Sequence, residues 1–282
     1  MNRWIALPFR LLLLLTLLPL AAQAQFDHTH AAWTALLGKH VVLTNGGSAS
    51  QVRYAGFASD RPALKAYLDS LSRLPEREFK GWTKAQQMAF LINAYNAFTI
   101  EKILTRYPDL KSIKDLGGVF SSPWKDKFFM LFGRESYLDQ IEHEMLRAKG
   151  VYEEPRVHFA VNCASIGCPM LREEAYVADR LEAQLEEQTR RFLSDPTRNR
   201  YNEQSRRLEV SKIFDWFKED WQSGYRGISA GGQPVDSREQ FFARYAGLLA
   251  AKPVAQAIVA QQKAGIAFLD YDWGLNVAPR AN

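Results

Sequence analysis

The distribution of apolar and polar positions predicts a helix-rich chain with a few short strands. Ala31, Trp33, Leu36 and Leu37 recur at helical spacing within residues 27–39 and mark a short amphipathic helix. A polar, glycine-rich stretch at 45–50 separates it from Val52-Arg53-Tyr54, and Leu64, Tyr67, Leu68 and Leu71 predict a second helix ending near Pro75. Residues 84–107 differ: Met88, Phe90, Leu91, Ile92, Tyr95, Phe98, Ile100, Ile103 and Leu104 cover nearly the whole helical circumference. That is the pattern of a helix buried on every side. It carries Asn93 and Asn96 one turn apart. A buried amide left unpaired costs about 1–3 kcal/mol, so each must either brace a neighbouring segment or touch a ligand.

Further along, residues 128–132 read as a strand, and Ser136-x-x-Asp139 resembles a capping box opening a helix through Arg147. On a 100° wheel Leu138, Ile141, Met145 and Leu146 form its apolar stripe, with Glu142 inside the stripe and His143 on its flank. A carboxylate on a buried face must be paired or protonated, which singles out Glu142. Val157, Phe159 and Val161 alternate with His158, Ala160 and Asn162, a strand pattern running into Cys163-Ala-Ser-Ile-Gly-Cys168-Pro169. A charged helix at 179–193 and short strands at 199–202 and 207–210 follow. Ser211 is placed to cap a helix over 212–221, where Asp220 projects into the face formed by Ile213, Phe214, Trp216, Phe217 and Trp221. Two more helices, near 238–250 and 254–263, complete the pattern. The expected architecture is α+β: a helix-rich single domain over 25–282 with a small, mainly antiparallel sheet.

The N-terminus changes the picture of where this domain resides. Arg3 and Arg10 flank a basic region, 11–20 is almost wholly apolar, and Ala22-Gln23-Ala24 has the small-x-small pattern of a cleavage site. An apolar core of about ten residues is roughly half a bilayer span. Residues 1–24 therefore read as a secretory signal peptide, and the expectation is an exported, soluble protein, periplasmic or secreted, with no membrane span after its removal. Without Arg3 and Arg10 the formal charge falls from +5 to +3, and no stretch concentrates Lys and Arg, so a nucleic-acid partner is not expected. Composition, with 47% hydrophobic and 24% charged residues, excludes a disordered or coiled-coil chain.

The candidate chemistry centres on the two cysteines of the chain, Cys163 and Cys168. In an oxidising compartment they suggest a disulfide, which their four-residue gap permits if the loop folds back. Alternatively Cys163 is a nucleophile, with His143 or His158 as base and Glu142, Asp220 or an Asn orienting the imidazole. The Cys and His spacing matches none of the usual zinc signatures, and no cofactor or metal is expected. A Walker loop, a dinucleotide fingerprint and a serine-hydrolase elbow are missing from the sequence. The residues thus leave two readings open: a cysteine-dependent hydrolase or acyl transferase, or a non-catalytic envelope binding or structural protein with a Cys163–Cys168 disulfide. A thiol redox role stands between them, without the C-x-x-C spacing of thioredoxin-like proteins. In either case the partner is an unspecified small molecule or peptide.

At Ala89-Phe-Leu-Ile-Asn-Ala-Tyr-Asn96, Ile141-Glu-His-Glu-Met-Leu-Arg147, Val157-His-Phe-Ala-Val-Asn-Cys-Ala-Ser-Ile-Gly-Cys-Pro169, Ser211-Lys-Ile-Phe and Asp270-Tyr-Asp-Trp-Gly-Leu-Asn276 the chain resembles the family called domain of unknown function 547. The resemblance spans roughly residues 33–276. Relatives resemble parts of larger plant proteins and of fusions to glutaredoxin-type domains, which implies thiol chemistry. Carried over by position, the motif residues are Asn93, Asn96, Glu142, His143, His158, Cys163, Cys168 and Asp220. Asn93, Asn96, Glu142, His143, His158 and Cys163 are expected to converge on one pocket or polar network.

Overall fold

The computed structural model describes residues 25–118, 121–222, 224–226 and 233–279; the expected leader at 1–24 lies outside them. The N-terminal half contains helices α1 (Ala31–His40), α2 (Tyr54–Ser59), α3 (Arg61–Ser72), α4 (Glu76–Lys80) and α5 (Lys84–Leu104). The C-terminal half adds α6 (Leu181–Leu193), α7 (Ile213–Trp216), α8 (Arg238–Arg244), α9 (Ala246–Leu249) and α10 (Pro253–Ala260). The α+β expectation holds, with the strands divided among three small sheets. Strands β1 (Val41–Thr44) and β2 (Ala49–Val52) form one antiparallel pair, and β3 (Phe129–Leu131) and β4 (Arg134–Ser136) another. The third sheet pairs β5 (Arg200–Asn202) antiparallel to β6 (Arg207–Val210), and β6 parallel to β7 (Gly265–Phe268).

Helix α5 is buried along almost its whole length from Met88 onward, as its all-round apolar pattern requires. Thr83 caps it by accepting a bond from the Gln86 N–H, and the Thr83 N–H in turn donates to the Gln86 side-chain oxygen. The first core gathers around this helix, with Trp33, Phe57, Leu64, Ile141 and Leu146 among its members. A second, more aromatic core comprises Phe159, Phe192, Phe214, Trp221, Phe241 and Phe242. Residues 157–164 stitch the two together: Val157, Ala160, Val161 and Ala164 belong to the first core and Phe159 to the second. Among the described residues no helix is long and apolar enough to cross a membrane.

Three local expectations are corrected. The predicted strand at 157–161 is a 3-10 helix, Pro155–Phe159. Residues 154–162 are all buried, so the apparent alternation does not separate an inner from an outer face. Its Ala160 carbonyl and the Asn162 N–H are taken by the Asn96 side chain rather than by a neighbouring strand. Ser136 does not cap a helix: it pairs with Phe129 in β4, and its hydroxyl donates to the Arg134 carbonyl. The helix that follows, Gln140–Leu146, is a π-helix, closed by the Arg147 N–H bonding the Glu142 carbonyl. Finally, the helix expected over 212–221 breaks at Phe217 into α7 and a 3-10 turn, Lys218–Gln222, although the Ser211 hydroxyl does accept from the Ile213 N–H.

Candidate functional site

The cysteine loop is fixed at both ends by amides. Asn96 on α5 donates to the Ala160 carbonyl (2.9 Å) and accepts from the Asn162 N–H (2.8 Å). Asn162 donates to the Pro169 carbonyl (2.7 Å) and accepts from the Ala164 N–H (3.0 Å), tying the start of the loop to its end. The closing segment of the chain lies along the loop: the Ile166 N–H donates to the Gly274 carbonyl and the Gly167 N–H to the Asp272 carbonyl, both at 2.8 Å. A Cβ on Gly167 would come within 2.9 Å of the Asp272 backbone nitrogen, so this close approach requires glycine. Ala164, directly after Cys163, adopts φ 63°, a left-handed conformation that a non-glycine residue holds only under constraint.

This folding-back brings the two sulfurs together. Cys163 and Cys168 stand as free thiols with their Sγ atoms 2.7 Å apart; no disulfide joins them. The Cys163 N–H donates to the Cys168 Sγ (2.9 Å), and the Cys163 Sγ also contacts the Tyr271 hydroxyl at 3.2 Å and the Ser165 hydroxyl at 3.6 Å. The hydrogen bond with Cys168 holds the Cys163 thiol down at about 7, with Tyr271 and Ser165 assisting against the opposing effect of burial. Burial pushes Cys168 in the other direction, well above the ordinary thiol range.

Cys163 and Cys168 line a cavity of about 190 Å³ together with Glu142, His143 and His158. Its walls are aromatic, with Trp124, Trp216, Phe217, Tyr271 and Trp273 among them. Glu142 is buried, as the position of the stripe predicts. Desolvation raises its pKa, while the neighbouring His143 and a hydrogen bond from the Tyr95 phenol work against that rise, and the charge of Cys163 adds to it.

The two imidazoles are not equivalent. Arg147 reaches the His143 Nδ1 at 2.6 Å, and a guanidinium can only donate, so that nitrogen accepts. In the neutral ring the proton is then on Nε2, which lies 3.7 Å from Asp139. His158 is buried, stacks on Phe217 with ring centroids 3.9 Å apart, and places its Nε2 2.7 Å from the Asp220 carboxylate. Burial works to raise the Asp220 pKa, but hydrogen bonds from His158 and Arg147 prevail and hold it well below the usual carboxylate range. The Arg147 contacts are at 2.5 and 3.1 Å. Burial in turn lowers His158 below the ordinary histidine value, so the ring is neutral near pH 7, donating through Nε2 and keeping Nδ1 as its acceptor.

Of the expected set, Glu142, His143, His158, Cys163 and Cys168 therefore share one cavity, and Asp220 stands behind His158. Asn93 and Asn96 do not line it. Asn93 donates to the Tyr176 carbonyl and accepts from the Tyr176 N–H, so both asparagines are braces with satisfied amides. Among the described residues neither histidine is a hydrogen-bond partner of the Cys163 sulfur, whose contacts are Cys168, Tyr271 and Ser165. No three His, Cys, Asp or Glu side chains among the described residues gather as metal ligands. The sequence reading missed Tyr95, Asn162 and Tyr271 as parts of the site. Asn162 carried a signal, being an amide beside a cysteine in a segment that must be buried. Tyr271 approaches Cys163 from 108 residues away, and no local pattern marks that contact.

Fold and site together define an α+β chain with a cysteine-centred cavity at the junction of two hydrophobic cores. Residues 79–193 match the family model described as "Protein of unknown function, DUF547". The match, over less than half of the chain, falls on the segment that holds most of its motifs. That segment includes α5, the π-helix and the cysteine loop, while Asp220 and Tyr271 lie beyond it. No curated protein and no solved structure matches the chain.

Proposed function

We propose that the chain is an exported cysteine-dependent hydrolase or acyl transferase in which Cys163 is the nucleophile and His158 the base. The observation that carries this reading is a low-pKa thiol in the same aromatic cavity as a neutral imidazole backed by a carboxylate. Of the two candidate bases, His143 has its acceptor nitrogen occupied by Arg147, whereas His158 retains one. The Cys163 sulfur forms a bond to the substrate carbonyl carbon, its proton passing to His158. The tetrahedral intermediate collapses with rupture of the bond to the leaving group, which takes the proton from His158. Water or an acceptor nucleophile then cleaves the thioester and regenerates the thiol. Asp220 orients the His158 ring and stabilises the imidazolium, by the logic of acid–imidazole–nucleophile triads.

The apolar, aromatic lining favours an acyl group with an apolar or planar portion. The test is acylation by p-nitrophenyl acetate and p-nitrophenyl phenylacetate, followed by intact and peptide mass spectrometry. An acyl adduct on Cys163 is expected, absent in Cys163→Ala and formed about 10²-fold more slowly in His158→Ala. Adducts distributed over surface lysines, with Cys163 unmodified, would refute the proposal.

A second reading is favoured by the sulfur contact of 2.7 Å: a non-catalytic envelope protein whose Cys163–Cys168 bridge stiffens a binding loop. In that case the purified chain would resist alkylation until reduced, and the reduced thiols would show no acylation.

A further inference from the structure

We propose that Cys163 and Cys168 work as an attacking and a resolving thiol, giving the site a thiol–disulfide exchange activity toward small, uncharged disulfides. The proposal rests on the reading of Cys163 as the nucleophile, but not on acyl chemistry.

Three observations carry it. The sulfurs are already 2.7 Å apart, so closing to a bridge of about 2.05 Å moves them by well under an ångström. The loop that holds them is pinned on both sides of the pair, by Asn96 before it and by the Asn162 bond to the Pro169 carbonyl after it, so oxidation need not refold it. The two thiols are also unequally accessible. Cys163 is half-buried on the cavity wall, whereas Cys168 is only 5% exposed, with its sulfur receiving the Cys163 N–H. A disulfide entering the cavity would reach Cys163 first. The lower pKa of Cys163 agrees with that order, since the thiolate is the attacking form.

The chemistry closes without a further reactant. The Cys163 thiolate attacks one sulfur of R–S–S–R, forming a mixed disulfide and expelling one RS⁻. The Cys168 thiol then attacks the Cys163 sulfur, its proton passing to the second departing RS⁻. The protein dithiol is oxidised by two electrons to a Cys163–Cys168 bridge, and the substrate disulfide is reduced to two thiols. In that bridged state Cys163 cannot attack a carbonyl, so the same exchange switches acyl chemistry off until a thiol reductant reverses it. The aromatic walls and the carboxyl groups of Asp139 and Glu142 suit an uncharged partner better than an anionic one.

The test uses the reduced full chain without its leader and bis(2-hydroxyethyl) disulfide as the probe. The wild type is expected to release two equivalents of 2-mercaptoethanol per chain and to end with an internal bridge and no adduct. Cys168→Ser should release one equivalent and retain a mercaptoethanol adduct on Cys163, whereas Cys163→Ser should stay unmodified over the same interval. The wild-type stoichiometry is decisive even if a variant fails to fold. A persistent wild-type adduct, an unreactive wild type, or a Cys163→Ser variant reacting as fast as Cys168→Ser would overturn the proposal. If exchange fails while p-nitrophenyl esters still acylate Cys163, only the exchange activity falls; a Cys163 inert to both reagents removes the proposed function as well.

Discussion

A buried carboxyl beside a thiol held below its ordinary range places two acids in competition. Glu142 and Cys163 line the same cavity, and the charge of Cys163 is one of the influences that raise Glu142. Because the folded-state pKa of Glu142 is raised, chiefly by desolvation, its ionisation opposes folding. The cost is absent below the ordinary carboxylate range and grows as pH rises through the raised folded value. Glu142→Gln keeps the shape and an acceptor for the Tyr95 phenol but cannot ionise. Its melting temperature should match the wild type near pH 4 and exceed it by a few degrees near pH 8, where about 1 kcal/mol corresponds to 2–4 °C in a domain of this size. A difference that does not change with pH would mean that Glu142 is solvated. Asp220 has the opposite sign. Its lowered pKa contributes stability above the ordinary carboxylate range that is lost as pH falls toward the lowered value. Asp220→Asn should therefore cost about 1–2 kcal/mol at pH 7, measured by urea denaturation, and less in acid. An equal loss at every pH would contradict the ionic account of the Asp220 contacts.

Among the elements, the side chains that shape the site lie mostly on segments whose regular pattern is interrupted. Helix α5 was fully legible: an all-round apolar helix announces its own burial, and its two asparagines announce a need for partners. What those amides bind was not legible, because the partners at 160–162 and Tyr176 are about 64–83 positions away. The same contacts explain why 155–159 is not a strand. Asn96 satisfies the backbone groups that a strand would offer to a sheet, and Pro155 is suited to the first turn of a helix. The π-helix at Gln140–Leu146 was likewise hidden, since a 100° wheel still places Ile141, Glu142 and Leu146 inside. Asn96→Ala leaves the Ala160 carbonyl and the Asn162 N–H unpaired in a buried site. The expected cost is about 2–4 kcal/mol by urea denaturation, accompanied by slower alkylation of Cys163. A loss below about 0.5 kcal/mol would show that the clamp is dispensable.

At the scale of the molecule, the site sits where the two cores meet, and it draws on both. Val161 and Ala164 flank Cys163 and belong to the first core, while Tyr271, which bonds its sulfur, packs against the second. The closing segment is anchored to the first core by the Tyr54 hydroxyl, which donates to the Asn276 side chain at 2.7 Å. The cysteine motif and both histidines could be read from the sequence. Their assembly depends on long-range closure, which local periodicity does not encode. This closure holds the Cys163 thiol down at about 7, with the contact to Cys168 as the largest single influence. The most direct measurement is the rate of iodoacetamide alkylation of Cys163 against pH, with the chain held reduced, in the wild type and in Cys168→Ala. The wild-type rate should inflect at about 7, and the inflection should shift upward toward the ordinary thiol range in the variant. A wild-type inflection already in that range, or one unmoved by the loss of Cys168, would contradict this role of the closure.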